Sequence, residues 1–161
     1  MYNNNSEERK VMVTVEENNI THIWPEHCSG SPDGERLDHF VERNGLEFAG
    51  THLILDLWGA HRLDDLNHME KTLRECVEKA GATLLHIHLH HFTPSGGISG
   101  VAVLAESHIS VHTWPERDFA AFDIFMCGEA RPEEAIAVLK RAFYPKSMKI
   151  TENLRGVVED E

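Results

Sequence analysis

Nucleophilic and acid–base side chains are concentrated between residues 96 and 128, in an otherwise apolar part of the chain. Ser107 follows Glu106, His112 lies five residues later, and Cys127 ends the next apolar run. Polar groups in such a segment need hydrogen-bond partners or a chemical role. A serine with a histidine base indicates nucleophilic catalysis. The Gly-x-Ser-x-Gly elbow of an ordinary serine hydrolase is missing, which disfavours that class of enzyme.

A row of histidines offers a different chemistry. His86, His88 and His90 alternate along one predicted strand, so their imidazoles project from one face of it. Three imidazoles on a face could bind zinc, but no cysteine or carboxylate spacing completes a ligand set. We therefore favour hydrogen-bonded histidines and expect no metal. A metal-binding module stays open as an alternative that elemental analysis would decide.

The elements that position these side chains follow from hydrophobic periodicity. Strands are predicted over residues 51–57, 83–92, 98–105, 108–114, 119–127 and 148–151. The short connections among the middle strands favour an antiparallel meander. One helix is predicted from the repeat that starts at Leu63, ending at a Gly81 cap, and a second begins at Pro132.

These elements predict an α+β fold, a two-layer sandwich of an antiparallel sheet with two helices on one face. The other face must meet solvent, the N-terminal residues or a second subunit, so we expect a homodimer. Residues 1–48 are polar and carry turn signals, and they are predicted to be an N-terminal extension that is partly ordered or disordered. In this extension Leu37, Phe40 and Val41 have helical spacing. The main domain is predicted to span residues 49–161.

Composition excludes several kinds of partner. Acidic residues outnumber basic ones by 27 to 15, and no basic run could track a phosphate backbone, so we expect no nucleic acid. No apolar stretch reaches the roughly 18 residues that cross a bilayer, so we expect no membrane partner. Cys28, Cys76 and Cys127 are an odd, widely spaced set, and the N-terminus has no apolar signal segment. We therefore expect a reducing, cytoplasmic location.

One segment is specific enough to indicate a family. Residues 106–116, ESHISVHTWPE, resemble the processing-site motif of the prokaryotic, pyruvoyl-dependent S-adenosylmethionine decarboxylase proenzymes. The supporting segments occur in the family's order: GTH at 50–52, HFTP at 91–94, Ser99-Gly100, and Asp123 through Cys127-Gly128. The resemblance covers roughly residues 49–155.

The resemblance implies self-cleavage between Glu106 and Ser107. The Ser107 hydroxyl attacks the Glu106 carbonyl, and Ser107 then becomes a covalent pyruvoyl cofactor that forms a Schiff base with the substrate amine. By the same resemblance, His112 is the proton acceptor during processing and Ser99 assists by hydrogen bonding. Cys127 matches the proton donor of the decarboxylation.

The substrate implied by the resemblance is S-adenosylmethionine, which would yield decarboxylated S-adenosylmethionine and CO2 for spermidine biosynthesis. Phe92 and Trp114 resemble the aromatics that hold adenine, and Glu116 resembles the carboxylate that holds the ribose hydroxyls. Relatives with the same cofactor act on L-ornithine or L-arginine, and one extra residue between Phe92 and Ser99 keeps these substrates open. A non-catalytic remnant is a further alternative, which an uncleaved chain on a denaturing gel would indicate.

Overall fold

The computed structural model describes residues 40–158. Within this range the chain forms eight strands and two helices, joined mostly by short connections. The strands are β1 (Val41–Arg43), β2 (Leu46–Phe48), β3 (Gly50–Trp58), β4 (Leu84–His91), β5 (Ile98–Leu104), β6 (Ser107–Trp114), β7 (Phe119–Met126) and β8 (Ser147–Arg155), and the helices are α1 (Leu66–Ala80) and α2 (Glu134–Phe143). Neither helix is long and apolar enough to cross a membrane.

Six strands form one antiparallel sheet in the order β4-β5-β6-β7-β3-β8. The run from β4 to β7 is the meander that the short connections predicted. The earlier strand β3 pairs with β7 on one side and with the last strand, β8, on the other. The N-terminal and C-terminal parts of the domain therefore interleave within a single sheet.

Local chemistry fixes the ends of α1. The Asp65 carboxylate accepts a hydrogen bond from the backbone N–H of His68 at 2.9 Å and caps the N-terminus. Gly81 ends the helix at φ +74°, as predicted, because glycine has no Cβ to oppose the left-handed conformation. The residues that α1 and α2 bury recur at helical spacing: Met69, Leu73, Cys76, Val77, Ala135, Val138, Leu139 and Phe143.

The core lies between the helices and one face of the sheet, which confirms the predicted two-layer arrangement. Along β7, for example, the side chains from Ala120 to Met126 alternate between buried and half-buried. Neither helix covers the second face, which we call the open face. It carries His52, Ile54, Asp56, Trp58, His86, His88, His90, Ser99, Val101, Val103, His108, Ser110, His112, Trp114, Phe119, Ala121, Asp123 and Phe125.

The segment before β3 forms a small hairpin, so the helical spacing at Phe40 and Val41 was misleading; Leu37 lies outside the described residues. The turn of this hairpin is Asn44-Gly45, with φ +56° and +76°. Asn-Gly at a two-residue turn is the strongest local hairpin signal and overrides three spaced apolar residues. The hairpin is held to the main domain by the buried Phe48 and by an Arg43–Glu152 ion pair of 2.7 Å.

Candidate active site

The predicted cleavage point lies in the tight turn between β5 and β6. Leu104 and Ser107 are paired, which leaves only Ala105 and Glu106 to reverse the chain. Glu106 has φ +59°, a left-handed conformation that costs an L-residue about 1–2 kcal/mol. The Ala105 N–H donates to the Thr83 carbonyl at 2.9 Å and ties the turn to the start of β4. The peptide bond before Ser107 is therefore held in a strained, fixed turn.

Cys127, just after β7, contacts both residues of the predicted cleavage point. Its Sγ lies 3.0 Å from the Glu106 carbonyl oxygen and 3.7 Å from the Ser107 Oγ. Its backbone N–H donates to the same Ser107 oxygen at 3.3 Å. The structure thus brings Glu106, Ser107 and Cys127 together. A thiol in this place can polarise the carbonyl that the hydroxyl would attack.

A cavity of about 520 Å³ opens beside these three residues. This volume is within the range of small-molecule sites. Its walls are the chain after α1, residues 81–83, and the chain after β7, residues 128–130. Glu106 and Glu129 line it, and none of its described lining residues is a lysine or arginine. The charge of this cavity favours a cationic ligand.

Ser99 and His112 form a second group on the open face. They are directly paired across β5 and β6, and the Ser99 Oγ and His112 Nδ1 share a hydrogen bond of 2.9 Å. Such a bond fixes the orientation of the imidazole. The predicted processing pair is therefore assembled in the structure.

The two groups do not meet within one chain. Ser107 and His112 are five residues apart on the same extended strand, which separates them by about 16 Å. An odd spacing on a strand also sends the two side chains to opposite faces of the sheet. His112 of the same chain therefore cannot contact the Ser107 Cα.

The predicted nucleoside residues lie at the far end of the open face. Phe92 follows β4, Trp114 ends β6, and Glu116 lies in a short 3₁₀ turn at Pro115–Arg117. Phe92 and Trp114 are 46% and 41% exposed, which leaves ring surface free for stacking. Seven residues of extended strand place Trp114 about 23 Å from Ser107. Within one chain, the predicted nucleoside residues are therefore far from the cavity at Ser107.

Sequence reasoning missed a cluster near the middle of the open face. The Nε2 of His52 is buried, lies 3.4 Å from an Asp123 carboxylate oxygen, and has no hydrogen-bond partner among the described residues. Ser110 donates to the other Asp123 oxygen at 3.3 Å. Burial lowers the pKa of His108, the nearby His52 acts in the same direction, and Asp123 opposes them. Alternation placed these residues on one face, but only the strand order makes them neighbours.

The histidine row lies on the open face, and Cys76 lies in the core. His86, His88 and His90 project from the open face as alternation predicted, yet no group of three His, Cys, Asp or Glu within residues 40–158 is arranged to hold a metal. Cys76 is fully buried in the core, and burial raises the pKa of its thiol to about 12, so it is chemically inert. Cys127 is the partly exposed thiol of the two that the described residues contain.

The chain matches known proteins over most of its length. A family model described as S-adenosylmethionine decarboxylase matches residues 51–156. The S-adenosylmethionine decarboxylase proenzyme of Thermomicrobium roseum is 43% identical over 116 residues, which cover 71% of this chain and 100% of that relative. The proenzyme of the same name from Methanococcus maripaludis is 45% identical over 114 residues, which cover 69% of this chain and 93% of the relative.

A solved structure is similar as well. The crystal structure of the adenosylmethionine decarboxylase from Aquifex aeolicus superimposes with a TM-score of 0.63 at 32% identity, over 71% of this chain and 96% of that one. These matches confirm the resemblance that ESHISVHTWPE indicated and the fold predicted around it. The chain belongs to the S-adenosylmethionine decarboxylase family.

Proposed function

We propose that this chain is a self-processing, pyruvoyl-dependent decarboxylase that converts S-adenosylmethionine into decarboxylated S-adenosylmethionine and CO2. The decarboxylated product would be the aminopropyl donor for spermidine biosynthesis. The observation that carries the proposal is the contact of one thiol, Cys127, with the Glu106 carbonyl and the Ser107 hydroxyl. The relatives described above are named for S-adenosylmethionine. They lend no support to L-ornithine or L-arginine as the substrate.

Self-processing begins at the strained turn. The Ser107 oxygen attacks the Glu106 carbonyl carbon, the hydroxyl proton passes to the departing amide nitrogen, and the peptide bond becomes an ester. The backbone N–H of Cys127 orients the attacking oxygen, while its thiol donates to the carbonyl oxygen, where negative charge develops. The left-handed conformation of Glu106 favours the forward direction, because cleavage releases its strain.

Elimination completes the cleavage. A base removes the Ser107 Cα proton, the ester oxygen leaves Cβ with its electron pair, and Glu106 becomes a free carboxylate. Addition of water to the new N-terminus of the second chain releases ammonia and leaves a ketone. The proposed base is His112, held by Ser99. Since His112 is about 16 Å from Ser107 along its own strand, the base has to come from a second copy of the chain.

A homodimer that pairs the open faces meets this requirement. In a two-fold dimer with its axis near the middle of β6, the start of β6 in one subunit lies near the end of β6 in the other. The end of the sheet that carries the Ser107 backbone and Cys127 in one subunit would then lie near His112 and Trp114 of the partner subunit. The exposed aromatic surface of the open face supports burial against a second copy, because patches of this kind mark interaction sites.

The residues around Ser107 fit a pyruvoyl group. Ser107 is the first residue of β6 and lines the cavity, so a chain end created there would be accessible to a ligand. There the group would supply an electron-accepting carbonyl for the loss of CO2. Cys127 is the proposed donor that returns a proton to the substrate carbon, and its Sγ lies 3.7 Å from the Ser107 oxygen. Glu106 and Glu129 would favour the substrate's sulfonium charge.

The nucleoside end of the substrate is assigned to the far end of the partner's open face. Phe92 and Trp114 offer exposed rings for the adenine, and Glu116 can accept hydrogen bonds from the ribose hydroxyls. A cytoplasmic location is part of the proposal, because Cys76 and Cys127 are both free thiols and reducing compartments preserve them.

A serine substitution tests the proposal. Ser107→Ala should stay a single 161-residue chain on a denaturing gel and release no labelled CO2 from carboxyl-labelled S-adenosylmethionine. The wild type should yield chains 1–106 and 107–161 and release CO2. Ser147→Ala, at the edge strand β8, is the matched control and should behave as wild type.

Each contrary result has its own meaning. CO2 release by Ser107→Ala would refute the pyruvoyl mechanism. A wild-type chain that is not cleaved would favour the non-catalytic remnant. Turnover of labelled L-ornithine or L-arginine in place of S-adenosylmethionine would leave the processing chemistry in place and refute the substrate.

A further inference from the structure

Three aromatic rings stack in a line across the end of the open face, and we call them the aromatic ladder: Trp58, Phe119 and Trp114. The rings of Trp58 and Phe119 are stacked with centroids 4.3 Å apart and planes inclined by 28°. Phe119 stacks in turn on Trp114 at 5.3 Å, again at 28°. Sequence reasoning had singled out only Trp114.

The sheet sets the spacing of the ladder. Phe119 is directly opposite Trp114 on β6 and directly opposite Trp58 on β3, so the three rings occupy neighbouring positions on three adjacent strands. Side chains in such positions are close enough to pack ring on ring. Backbone bonds fix the neighbouring loops: Lys146 N–H donates to the Trp58 carbonyl and Ala60 N–H donates to that of Asp118, each at 2.9 Å.

The ladder holds one side of Trp114 and leaves the other available. Trp114 is 41% exposed and Trp58 is 49% exposed, whereas Phe119 is half-buried between them. The ring of His112, two residues earlier on β6, is 6.3 Å from the Trp114 ring and tilted by 39°, too far to stack. Phe119 is thus the ring that sets the plane of Trp114.

We propose that Trp58 and Phe119 are positioning residues that hold the Trp114 ring in the plane needed to stack on the substrate's adenine. This inference rests on the proposed function, which assigns the adenine to Trp114. Trp58 limits the rotation of Phe119, and Phe119 limits the rotation of Trp114. A stacking surface fixed before the substrate arrives loses less entropy on binding than a freely rotating ring.

Steady-state kinetics of the cleaved enzyme test the inference. Trp58→Leu and Phe119→Leu remove an aromatic ring and keep an apolar side chain, and each should raise the KM for S-adenosylmethionine roughly three- to tenfold. The kcat and the extent of chain cleavage should stay within about twofold of wild type, because both substitutions leave Ser107, Cys127 and His112 unchanged. The inhibition constant of adenosine as a competitive inhibitor should rise by the same factor as KM.

Two controls accompany these variants. Trp58→Phe keeps a ring in the ladder and should restore most of the affinity. Tyr144→Leu removes an exposed ring at the end of α2, outside the ladder and the open face, and should leave both constants unchanged. Should Trp58→Leu fail to fold, Trp58→Met gives the same test with a more flexible side chain.

The contrary outcomes separate the inference from the function on which it rests. If Trp114→Leu raises KM and both ladder variants leave it unchanged, the ladder does not position Trp114, and the proposed decarboxylase stands. A fall in kcat without a change in KM or in the adenosine constant would also refute the positioning role. Absence of S-adenosylmethionine turnover by the wild type overturns the proposed function and the inference together.

Discussion

The thiol of Cys127 is within reach of several oxygen atoms, two on Glu106 and one on Ser107. A thiol carries one proton and can donate to one of these atoms at a time. The shortest contact, 3.0 Å, goes to the carbonyl that the proposed reaction attacks. Once Glu106 has been released as a free chain end, the same proton becomes available to the substrate. One residue can thus serve processing and turnover in succession.

His108, next to Ser107, should make stability depend on pH. Its pKa is lowered by burial and by His52, and Asp123 opposes them. In the unfolded chain a histidine titrates near pH 6.5. Between that pH and the lower pKa of the folded state, the unfolded chain binds more protons, so the free energy of unfolding decreases as the pH falls. His108→Asn should flatten this decline, in melting temperatures recorded from pH 7.5 to 5 on uncleaved Ser107→Ala protein. Parallel curves for the two proteins would contradict the assignment.

At the scale of the elements, hydrophobic periodicity predicted both helices and all six strands of the main sheet. Its errors concern the residues at which these elements begin and end. Leu63 fits the apolar repeat of α1 and is buried, yet it belongs to the preceding loop because the Asp65 cap starts the helix later. The predicted last strand, 148–151, is longer in the structure, at Ser147–Arg155. As an edge strand it exposes most of its side chains, so no alternation marked its full length.

Thr113 joins three elements through one buried hydroxyl. The hydroxyl donates to the Leu63 carbonyl at 2.8 Å and accepts from the Ile98 N–H at 2.7 Å, which connects β6 to β5 and to the loop before α1. Thr113→Val would leave a buried donor and a buried acceptor without partners. The free energy of unfolding should fall by about 2–4 kcal/mol.

Urea unfolding of the uncleaved Ser107→Ala protein measures this change. Thr113→Ser keeps both hydrogen bonds and loses only a methyl group, so the free energy of unfolding should fall by no more than about 1 kcal/mol. Equal losses in the two variants would mean that packing of the methyl group, and not the hydroxyl, holds the three elements together.

On the scale of the whole molecule, a linear motif is divided between two surfaces. In ESHISVHTWPE the strand period of two sends Ser107 towards the helix side, while His112 and Trp114 project from the open face. The sequence could predict which residues take part, because the family resemblance carries residue types. The resemblance alone did not show that they form separate groups, since that depends on where β6 begins and on which strands lie beside it.

Mixed dimers should reveal the composite site. Ser107→Ala and His112→Ala are each expected to be inactive and uncleaved alone. Co-expressed, they form a dimer in which one site carries both substitutions and the other combines the intact Ser107 of one subunit with the intact His112 of the other. The His112→Ala chain of each mixed dimer should then be cleaved and CO2 release should return, as seen on a denaturing gel and with labelled S-adenosylmethionine.

Two different tags allow the mixed dimer to be isolated from both parent dimers. Co-expression of Ser107→Ala with Ser107→Ala carrying the second tag is the control and should show no cleavage. Mixed dimers that remain uncleaved would mean that each chain builds its site alone.

The interleaving of β3 between β7 and β8 has a consequence for the cleaved protein. A break after Glu106 assigns β3, β4, β5 and α1 to one fragment and β6, β7, β8 and α2 to the other. Three strand ladders, β5 with β6 and β3 with both β7 and β8, then run between fragments. The nicked molecule loses a covalent link and no hydrogen-bonded ladder. The cleaved protein would be a complex of two fragments that share one sheet. After complete unfolding, its reassembly would be bimolecular and would depend on protein concentration.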